Sequence, residues 1–170
     1  NRNVLLFRDP TVDGLKTGHT AAAGYCLVAT SQREFPNVGA RRLVSIILGA
    51  ASENARANES QKLLNWGYIA FDAVKLYDAG QSVAAPQVWK GKENTVKMGR
   101  AEAVVVSVPS GSAGQITTHI SHQDPLIAPF TKGQPIGALK VMLGAQTLRE
   151  VPLMALDGVE QAGVVGRAWD

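Results

Sequence analysis

One stretch of this sequence has the spacing of a long amphipathic helix, and strand-like segments lie on both sides of it. Apolar residues recur there mostly at intervals of three or four, which predicts a helix from Asn54 to about Lys75. The residues of this apolar stripe are Leu63, Leu64, Gly67, Phe71 and Val74. A helix with one apolar face must bury it, and the preceding strands offer the nearest surface. We therefore expect an α+β fold in which this helix packs on a sheet.

Strand-like segments precede the helix. Val4–Phe7 is interpreted as a short buried strand. Three longer segments, Leu15–His19, Gly24–Ser31 and Arg42–Gly49, come after it. The last two are rich in Val, Ile and Leu, which is typical of strands in the middle of a sheet. The sequence before the helix therefore predicts a small sheet.

Around residues 77–80 the pattern changes to short strands with frequent turns. The strand-like segments are Ser82–Trp89, Thr95–Met98, Glu102–Val108, Gln115–Ser121, Ile136–Leu143, Thr147–Val151 and Leu153–Leu156. Ile116, Thr118 and Ile120 alternate with polar residues, which predicts one buried face in that strand. Many short strands with repeated turns are typical of a β sandwich. We therefore place a domain boundary near residues 76–80.

Composition and charge exclude several classes of function. A hydrophobic fraction of 45% and a charged fraction of 18% are typical of a folded globular chain. The net charge of +3 is small, and no basic stripe carries interleaved aromatic residues, so we expect no nucleic-acid partner. The sequence has no run of 18 apolar residues that would predict a membrane-spanning helix.

Cysteine and histidine give no pattern of a metal or cofactor site. Cys26 is the one cysteine, so it forms no intrachain disulfide, and its place in an apolar strand predicts a buried, inert thiol. His119 and His122 lie three residues apart in a predicted strand, so they would face opposite sides of it. We therefore expect neither a metal nor a cofactor.

The chemically richest segment is Asp13–Thr20, which reads Asp-Gly-Leu-Lys-Thr-Gly-His-Thr. In an extended strand, Lys16 and Gly18 share one face and Thr17 takes the other. Lys16 supplies positive charge and Thr17 a hydrogen bond, and Gly18 lets a second backbone come close. Such a strand edge can hold an extended, anionic ligand. This segment is therefore the leading candidate for a binding site.

Together with Ala22–Tyr25, this segment resembles the D-alanyl-D-alanine carboxypeptidases, the low-molecular-mass penicillin-binding proteins that trim peptidoglycan stem peptides. The likeness continues through Arg42–Ser45 and Ala57–Gly67, and Val83–Trp89 and residues 101–156 look like the family's C-terminal β domain. The resemblance covers nearly all of the chain, and its most specific motifs lie in the first seventy residues.

The resemblance implies a division into three parts. Residues 1–76 would be the end of a transpeptidase- or β-lactamase-like α/β domain, with antiparallel strands and one long helix. Residues 77–162 would be an all-β, sandwich-like C-terminal domain. Residues 163–170 would begin an amphipathic membrane-anchoring helix, although as a sequence they are too short to bind a bilayer well, and a frayed terminus is the alternative.

The family's nucleophile is missing from this sequence. No serine is followed by lysine three residues later, which is the spacing of the family's catalytic pair. Ser52-Glu53-Asn54 resembles a second family element but follows the Lys-Thr-Gly segment, so we interpret it as the start of the helix. We expect the chain to be the C-terminal portion of a longer protein, to contain no catalytic residue of its own and to be inactive alone.

By resemblance, five residues would bind substrate. Lys16 would orient the catalytic serines and favour the substrate's C-terminal carboxylate, and Thr17 would hydrogen-bond that carboxylate. Gly18 would let the substrate pair as an added strand. The backbone N–H of His19 would be the second oxyanion-hole donor. Arg56 would match a carboxylate-binding arginine of the family, with a solvated helix residue as the alternative.

The expected function belongs to the intact parent protein. It would be a periplasmic serine D-Ala-D-Ala carboxypeptidase that acts on the peptidoglycan pentapeptide through an acyl-enzyme and is blocked by β-lactam antibiotics. Its place would be the outer face of the inner membrane, held by an anchor beyond Asp170, with a role in the cell wall and cell shape. The alternatives are a non-catalytic β-rich interaction module for cell-wall peptide or protein, and a serine β-lactamase, which would normally end soon after the closing helix.

Overall fold

The long helix covers one face of a three-stranded antiparallel sheet in the structure, a computed structural model that describes residues 2–163. The elements in chain order are α1 (Leu5–Arg8), β1 (Val12–Thr20), β2 (Gly24–Phe35), β3 (Gly39–Ala50) and α2 (Glu53–Ala70). The sheet order is β1-β2-β3. The chain divides into two compact units between Asp72 and Ala73, whereas the sequence places the boundary at residues 76–80.

The start of α2 confirms the prediction made from Ser52. The backbone of Ser52 is extended, and the Ser52 hydroxyl oxygen accepts a hydrogen bond from the backbone N–H of Ala55 at 3.0 Å. This N-cap satisfies a donor that the first helical turn would otherwise leave unpaired, and such a cap contributes about 1 kcal/mol. The cap therefore fixes where the helix begins, directly after β3.

The helix is shorter than predicted and presents a different face. It ends at Ala70, and residues 71–75 belong to strand β4 (Phe71–Tyr77). Val74 and Leu76 pack on the core of the second unit at a strand's spacing of two. The buried helical residues are Arg56, Ala57, Ser60, Leu64 and Tyr68. Leu64 of the predicted stripe is therefore buried as expected, whereas Leu63 is exposed. The stripe was wrong at Phe71 and Val74, because the spacing 67–71–74 fits a helix but these two residues belong to the strand that follows it.

Two further predictions for this unit were wrong. Val4–Phe7 is not a buried strand, because α1 begins at Leu5, and Phe7 is exposed. The side-chain oxygen of Asn3 accepts from the backbone N–H of Leu5 at 3.1 Å and supports that turn. Cys26 is half-buried rather than buried.

The first core is small and lies between the sheet and α2. Its buried apolar members are Leu5, Val12, Leu27, Ala29, Ala57 and Leu64. Polar side chains complete this layer: the hydroxyls of Ser45 and Ser60 lie 2.7 Å apart, and the Tyr68 hydroxyl donates to the carbonyl oxygen of Ser31 at 2.7 Å. The helix is therefore fastened to the sheet by directional hydrogen bonds as well as by apolar contact.

The second unit is rich in short strands, as predicted. After β4 come β5 (Ser82–Ala84), β6 (Val88–Trp89), β7 (Met98–Gly99), β8 (Val104–Pro109), a 3-10 turn (Ala113–Gln115), β9 (Ile116–His122), β10 (Leu126–Ile127), β11 (Pro135–Leu143) and β12 (Gln146–Ala155). One five-stranded sheet has the order β5-β7-β12-β11-β9, and the pairs β6/β10 and β4/β8 form two small sheets. The mixed fold class, with one long helix and a β-rich second unit, is confirmed.

Details of the strands differ from the sequence prediction. β12 is continuous through Pro152, which the sequence suggested as a break, because β7 pairs only with Met154 and Ala155 and so requires no N–H from Pro152. The predicted strand Ser82–Trp89 is instead two strands separated around Pro86. The buried face predicted for β9 is wrong, because β9 is an edge strand and Ile120 is exposed.

Candidate functional site

A cleft of about 750 Å³ opens in the first unit beside β1. Its lining residues are Arg2, Lys16, Thr17, Gly18, His19, Tyr25, Glu53 and Arg56. All five residues that the sequence predicts as substrate-binding therefore line one cleft. The residues that line this cleft include no serine or cysteine.

Strand β1 presents four consecutive residues to the cleft because it is an edge strand. It pairs with β2 alone in the described sheet, and Lys16, Gly18 and His19 lie opposite Val28, Cys26 and Tyr25. An edge strand of this kind can pair with an added strand through its backbone. The side chain of Lys16 is exposed and its Nζ donates to the carbonyl oxygen of Thr17 at 2.6 Å.

Gly18 leaves open space at the centre of this edge. A Cβ atom built at Gly18 would have Cys26 Cβ, 3.8 Å away, as its nearest neighbour. That distance is an ordinary contact, so the first unit does not itself require a glycine at this position. The free volume is available to a ligand that lies along β1.

An aromatic pair closes one end of the cleft. The rings of His19 and Tyr25 have centroids 4.0 Å apart and are inclined by 31°. Both residues flank the turn of the β1–β2 hairpin, where the Thr20 hydroxyl accepts from the backbone N–H of Ala23 at 3.0 Å. Such a pair contributes beyond its buried area and limits the motion of both rings.

Arg56 is buried at the inner wall, so the alternative of a solvated helix residue is wrong. Its side chain is 4% exposed. Nη1 donates to the carbonyl oxygens of Gly18 and Cys26 at 3.2 and 3.4 Å. Nη2 donates to the carbonyl oxygen of Arg2 at 3.2 Å and to Oε1 of Glu53 at 2.7 Å. The guanidinium therefore joins the start of α2 to β1, β2 and the segment before α1.

The charges of the cleft favour an anion. Arg2, Lys16 and Arg56 are cationic, and Glu53, which already pairs with Arg56, is the one acidic lining residue. Lys16 is the exposed cation nearest the open strand edge. The arrangement suits a carboxylate, which Lys and Arg bind through charge-assisted hydrogen bonds.

A second charged cluster holds the first residues of the Lys-Thr-Gly strand. Arg42 makes two bonds to Asp13, Nη1 to Oδ1 and Nη2 to Oδ2, each 2.7 Å long, and the Thr30 hydroxyl also donates to Oδ1. The hydrogen bonds from Arg42 and then Thr30 lower the pKa of Asp13 to about 2. Because Asp13 is on β1 and Arg42 on β3, this cluster links the two outer strands across β2.

Sequence reasoning missed Arg2, Tyr25 and Glu53. A hairpin turn at residues 20–24 would have placed Tyr25 opposite His19, so this residue was within reach of a register argument. Glu53 lies three residues before Arg56, a spacing at which helical side chains meet. Nothing in the sequence pattern points to Arg2, whose position depends on how the segment before α1 docks.

Residues 2–163 contain no cluster of three or more His, Cys, Asp or Glu side chains that could bind a metal ion. His119 and His122 lie on the exposed edge strand β9. Within the same range, no helix combines the length and the hydropathy required to cross a bilayer. The predicted anchor, residues 163–170, lies outside the described residues except for Gly163.

Comparison with known proteins matches both units to one family. Residues 71–161 match the family model of the penicillin-binding protein 5 C-terminal domain, and residues 1–52 match that of D-alanyl-D-alanine carboxypeptidase. Among curated relatives, the D-alanyl-D-alanine carboxypeptidase DacC of Escherichia coli is 38% identical over 172 residues, covering 100% of this chain and 42% of the relative. DacA of Haemophilus influenzae is 35% identical over 172 residues, covering 100% and 43%.

Solved structures agree with the sequence matches. Penicillin-binding protein 5 from Haemophilus influenzae superposes with a TM-score of 0.79 at 33% identity, over 95% of this chain and 46% of that one. The D-alanyl-D-alanine carboxypeptidase DacD from Francisella tularensis gives 0.58 at 31% identity, over 95% and 39%.

The chain spans less than half the length of these relatives. Its match to them nevertheless runs through the cleft-forming unit and the β-rich unit in the same order. The chain therefore belongs to the D-alanyl-D-alanine carboxypeptidase family, and its second unit is a penicillin-binding protein 5 C-terminal domain.

Proposed function

We propose that this chain is the part of a penicillin-sensitive serine D-Ala-D-Ala carboxypeptidase that grips the substrate, and that the nucleophilic serine lies in the portion of the relatives that the chain does not match. The observation that carries the proposal is the cationic cleft beside the open edge of β1. The chain matches about two fifths of the relatives' length and has no serine with lysine three residues later.

In this proposal the peptidoglycan pentapeptide lies along β1. Its terminal carboxylate contacts Lys16 and Thr17, and its backbone occupies the space beside Gly18. A hydrogen bond to a charged group contributes about 1.5–3 kcal/mol, so Lys16 is expected to dominate recognition of the carboxylate. The resemblance predicts that Arg56 also contacts this carboxylate. Four protein acceptors already bond to its guanidinium, which argues against that contact.

The reaction would proceed in two steps. The serine oxygen would bond to the carbonyl carbon of the penultimate D-alanine, and the C–N bond would break as the leaving amine takes a proton and departs as D-alanine. Water would then cleave the acyl-enzyme and release the shortened peptide. The backbone N–H of His19 would stabilise the negative oxygen in both steps, a contribution worth about 100- to 1000-fold in rate where such donors have been removed.

The proposed setting is the periplasm, peripheral to the outer face of the inner membrane, with an anchor beyond Asp170. β-Lactam antibiotics would acylate the same serine. The second unit would act as a stalk or partner-binding module that places the catalytic unit near its polymer. These roles for the whole protein rest on the family, whose members are named carboxypeptidases and penicillin-binding proteins.

Fluorescent penicillin tests the proposal. We expect it to label the protein extended upstream to the full length of its relatives, and not the 170-residue chain. Labelling of the short chain would show that the nucleophile is within it. Failure to label either protein would favour a non-catalytic interaction module.

Two variants of the extended protein sharpen the test. Lys16→Ala should slow acylation by about 10- to 100-fold, the loss expected for one charge-assisted hydrogen bond. Lys62→Ala is the matched control, because Lys62 is an exposed lysine of α2 that pairs with Glu59 and does not line the cleft. Gly18→Ala should also slow acylation without lowering the melting temperature, since its Cβ meets nothing closer than 3.8 Å. Equal rates in Lys16→Ala and Lys62→Ala would contradict the proposed role of Lys16.

A further inference from the structure

The two terminal nitrogens of the Arg56 guanidinium are hydrogen-bonded to acceptors of the protein itself. Each terminal nitrogen carries two hydrogens and has two acceptors, three of them backbone carbonyl oxygens and the fourth the Glu53 carboxylate. The side chain of Arg56 is 4% exposed. A substrate carboxylate could reach Nη1 or Nη2 only by displacing one of these four acceptors, which would then lose its hydrogen bond to Arg56.

The acceptors lie where they control the shape of the strand edge. Gly18 and Cys26 are cross-strand partners in the β1–β2 ladder, and both of their carbonyl oxygens bond to Nη1. Arg56 lies in the first turns of α2, whose start is fixed by the Ser52 cap. One planar cation therefore sets the distance between the helix and the part of β1 that ends in the peptide group joining Gly18 to His19.

A second contact acts on the same place. Cζ of Arg56 lies 5.5 Å from the centroid of the Tyr25 ring, within the range of a cation–π interaction. Tyr25 in turn stacks on His19. Arg56 thus restrains His19 in two ways: through the backbone of Gly18, the preceding residue, and through the ring of Tyr25.

We infer that Arg56 is a positioning residue of the carboxypeptidase: it holds the Gly18 carbonyl so that the next N–H, that of His19, points at the reacting oxygen, and it does not itself grip the substrate's carboxylate. The inference rests on the proposed function for the role of the His19 N–H. A displacement of about 1 Å at such a group can cost roughly 100-fold in rate, so a remote arginine can matter as much as a contacting one.

Arg56→Lys in the extended protein separates positioning from direct binding. Lysine keeps the charge but has one ammonium in place of a planar fork, so it cannot hold the Gly18, Arg2 and Glu53 acceptors together. We expect kcat on a D-Ala-D-Ala peptide to fall about 10- to 100-fold while KM changes less than about 3-fold. The preference for the free C-terminal carboxylate over the C-terminal amide of the same peptide should stay within about 3-fold of wild type.

The opposite pattern would overturn the inference. If Arg56 binds the carboxylate, Arg56→Lys should raise KM and remove much of the preference for carboxylate over amide, with kcat nearly unchanged. Arg8→Lys is the matched control, because Arg8 also contacts α2, through Asn54 and Asn58 at 2.8 Å each, but does not line the cleft. A similar loss of kcat in Arg8→Lys would mean that the effect is a general weakening of the helix.

Amide hydrogen exchange gives a readout that does not depend on turnover. In Arg56→Lys, the protected amides among residues 16–20 and 24–28 should exchange at least about 10-fold faster, while those of β3 keep their wild-type rates. Unchanged rates in the hairpin, or equal acceleration in both regions, would overturn the inference. If the wild-type extended protein shows no carboxypeptidase activity, the proposed function fails, and the exchange experiment still decides whether Arg56 positions the hairpin.

Discussion

The two units bury different kinds of side chain. Among residues 2–163, the buried polar or charged side chains all lie in the first unit: Asn3, Asp9, Thr30, Ser31, Arg41, Ser45, Arg56 and Ser60. That unit has an apolar core of six residues, whereas the second unit has a core of sixteen. The first unit is held largely by directional bonds and the second largely by apolar packing.

This difference fits the roles that we assign to the units. A buried polar group requires a partner at one distance and direction, so a network of such groups fixes geometry more sharply than apolar contact does. The cleft beside β1 needs a fixed geometry in our proposal, because the substrate would contact Lys16, Thr17 and His19 together. Apolar burial is non-directional and contributes about 25 cal/mol per Å², which suits a stable support.

The largest expected effect is the loss of apolar packing in the second unit. Leu139 lies on β11 and is fully buried, so Leu139→Ala should lower the free energy of unfolding by about 2–5 kcal/mol. Urea unfolding measures this change. Ile127→Ala, at a half-exposed residue of β10, is the control and should cost less than about 1 kcal/mol. Equal costs for the two variants would contradict the assignment of a packed core to this unit.

A smaller effect is expected from the polar interior of the first unit. Ser45 and Ser60 are almost fully buried and bond only across the sheet–helix layer, so Ser60→Ala should cost about 1–3 kcal/mol by leaving the other hydroxyl unsatisfied. The double variant with Ser45→Ala should cost less than the sum of the single variants. The measurement is urea unfolding followed by Trp66 fluorescence, with Trp89 and Trp169 replaced by Phe throughout.

Additive costs would contradict this prediction. They would mean that the two hydroxyls contribute independently and that the layer between α2 and the sheet tolerates polar groups without pairing. A coupling energy above about 0.5 kcal/mol would support a layer built from specific pairs.

How far the sequence predicts the fold depends on the kind of signal. Ser52 predicted the start of α2 because capping acts through a neighbouring N–H and is local. The end of α2 was missed because Val74 satisfies both the helical spacing from Gly67 and Phe71 and, with Leu76, the strand spacing of two. Val4–Phe7 was misassigned because four apolar residues carry no distinguishable period.

The candidate site divides in the same way. Lys16, Thr17, Gly18 and His19 are consecutive, so an extended strand presents them along one edge, and the sequence was enough to propose them as candidates. The bond from Arg56 to the Gly18 carbonyl joins residues that are 38 apart, and it exists only because the helix packs on the sheet. Sequence spacing does not predict a contact of this kind. The resemblance therefore suggested that Arg56 contacts the substrate carboxylate, whereas in the structure Arg56 bonds to backbone carbonyls.

The smallest expected effect distinguishes two exposed ion pairs, one in each unit. Hydrogen bonds from Arg42 lower the pKa of Asp13 to about 2, and the bond from Lys92 lowers the pKa of Glu160. The folded-state pKa of Asp13 lies below the ordinary 3.8 of Asp, so the folded state binds this proton more weakly than the unfolded state does. Asp13 therefore contributes its full stabilisation above about pH 3.8. The contribution is lost as the pH falls towards 2.

NMR titration of the two carboxyls measures both shifts. Arg42→Gln should return the pKa of Asp13 towards 3.8, and Lys92→Gln should do the same for Glu160 towards 4.5. In about 1 M salt the Debye length falls to about 3 Å, so the lone Lys92–Glu160 pair should lose most of its shift. Asp13 should keep more of its own, since Arg42 binds both carboxylate oxygens and Thr30 donates as well. Equal loss of the two pKa shifts in salt would mean that Asp13 and Arg42 form an ordinary surface ion pair. In that case this pair would not hold β1 to β3.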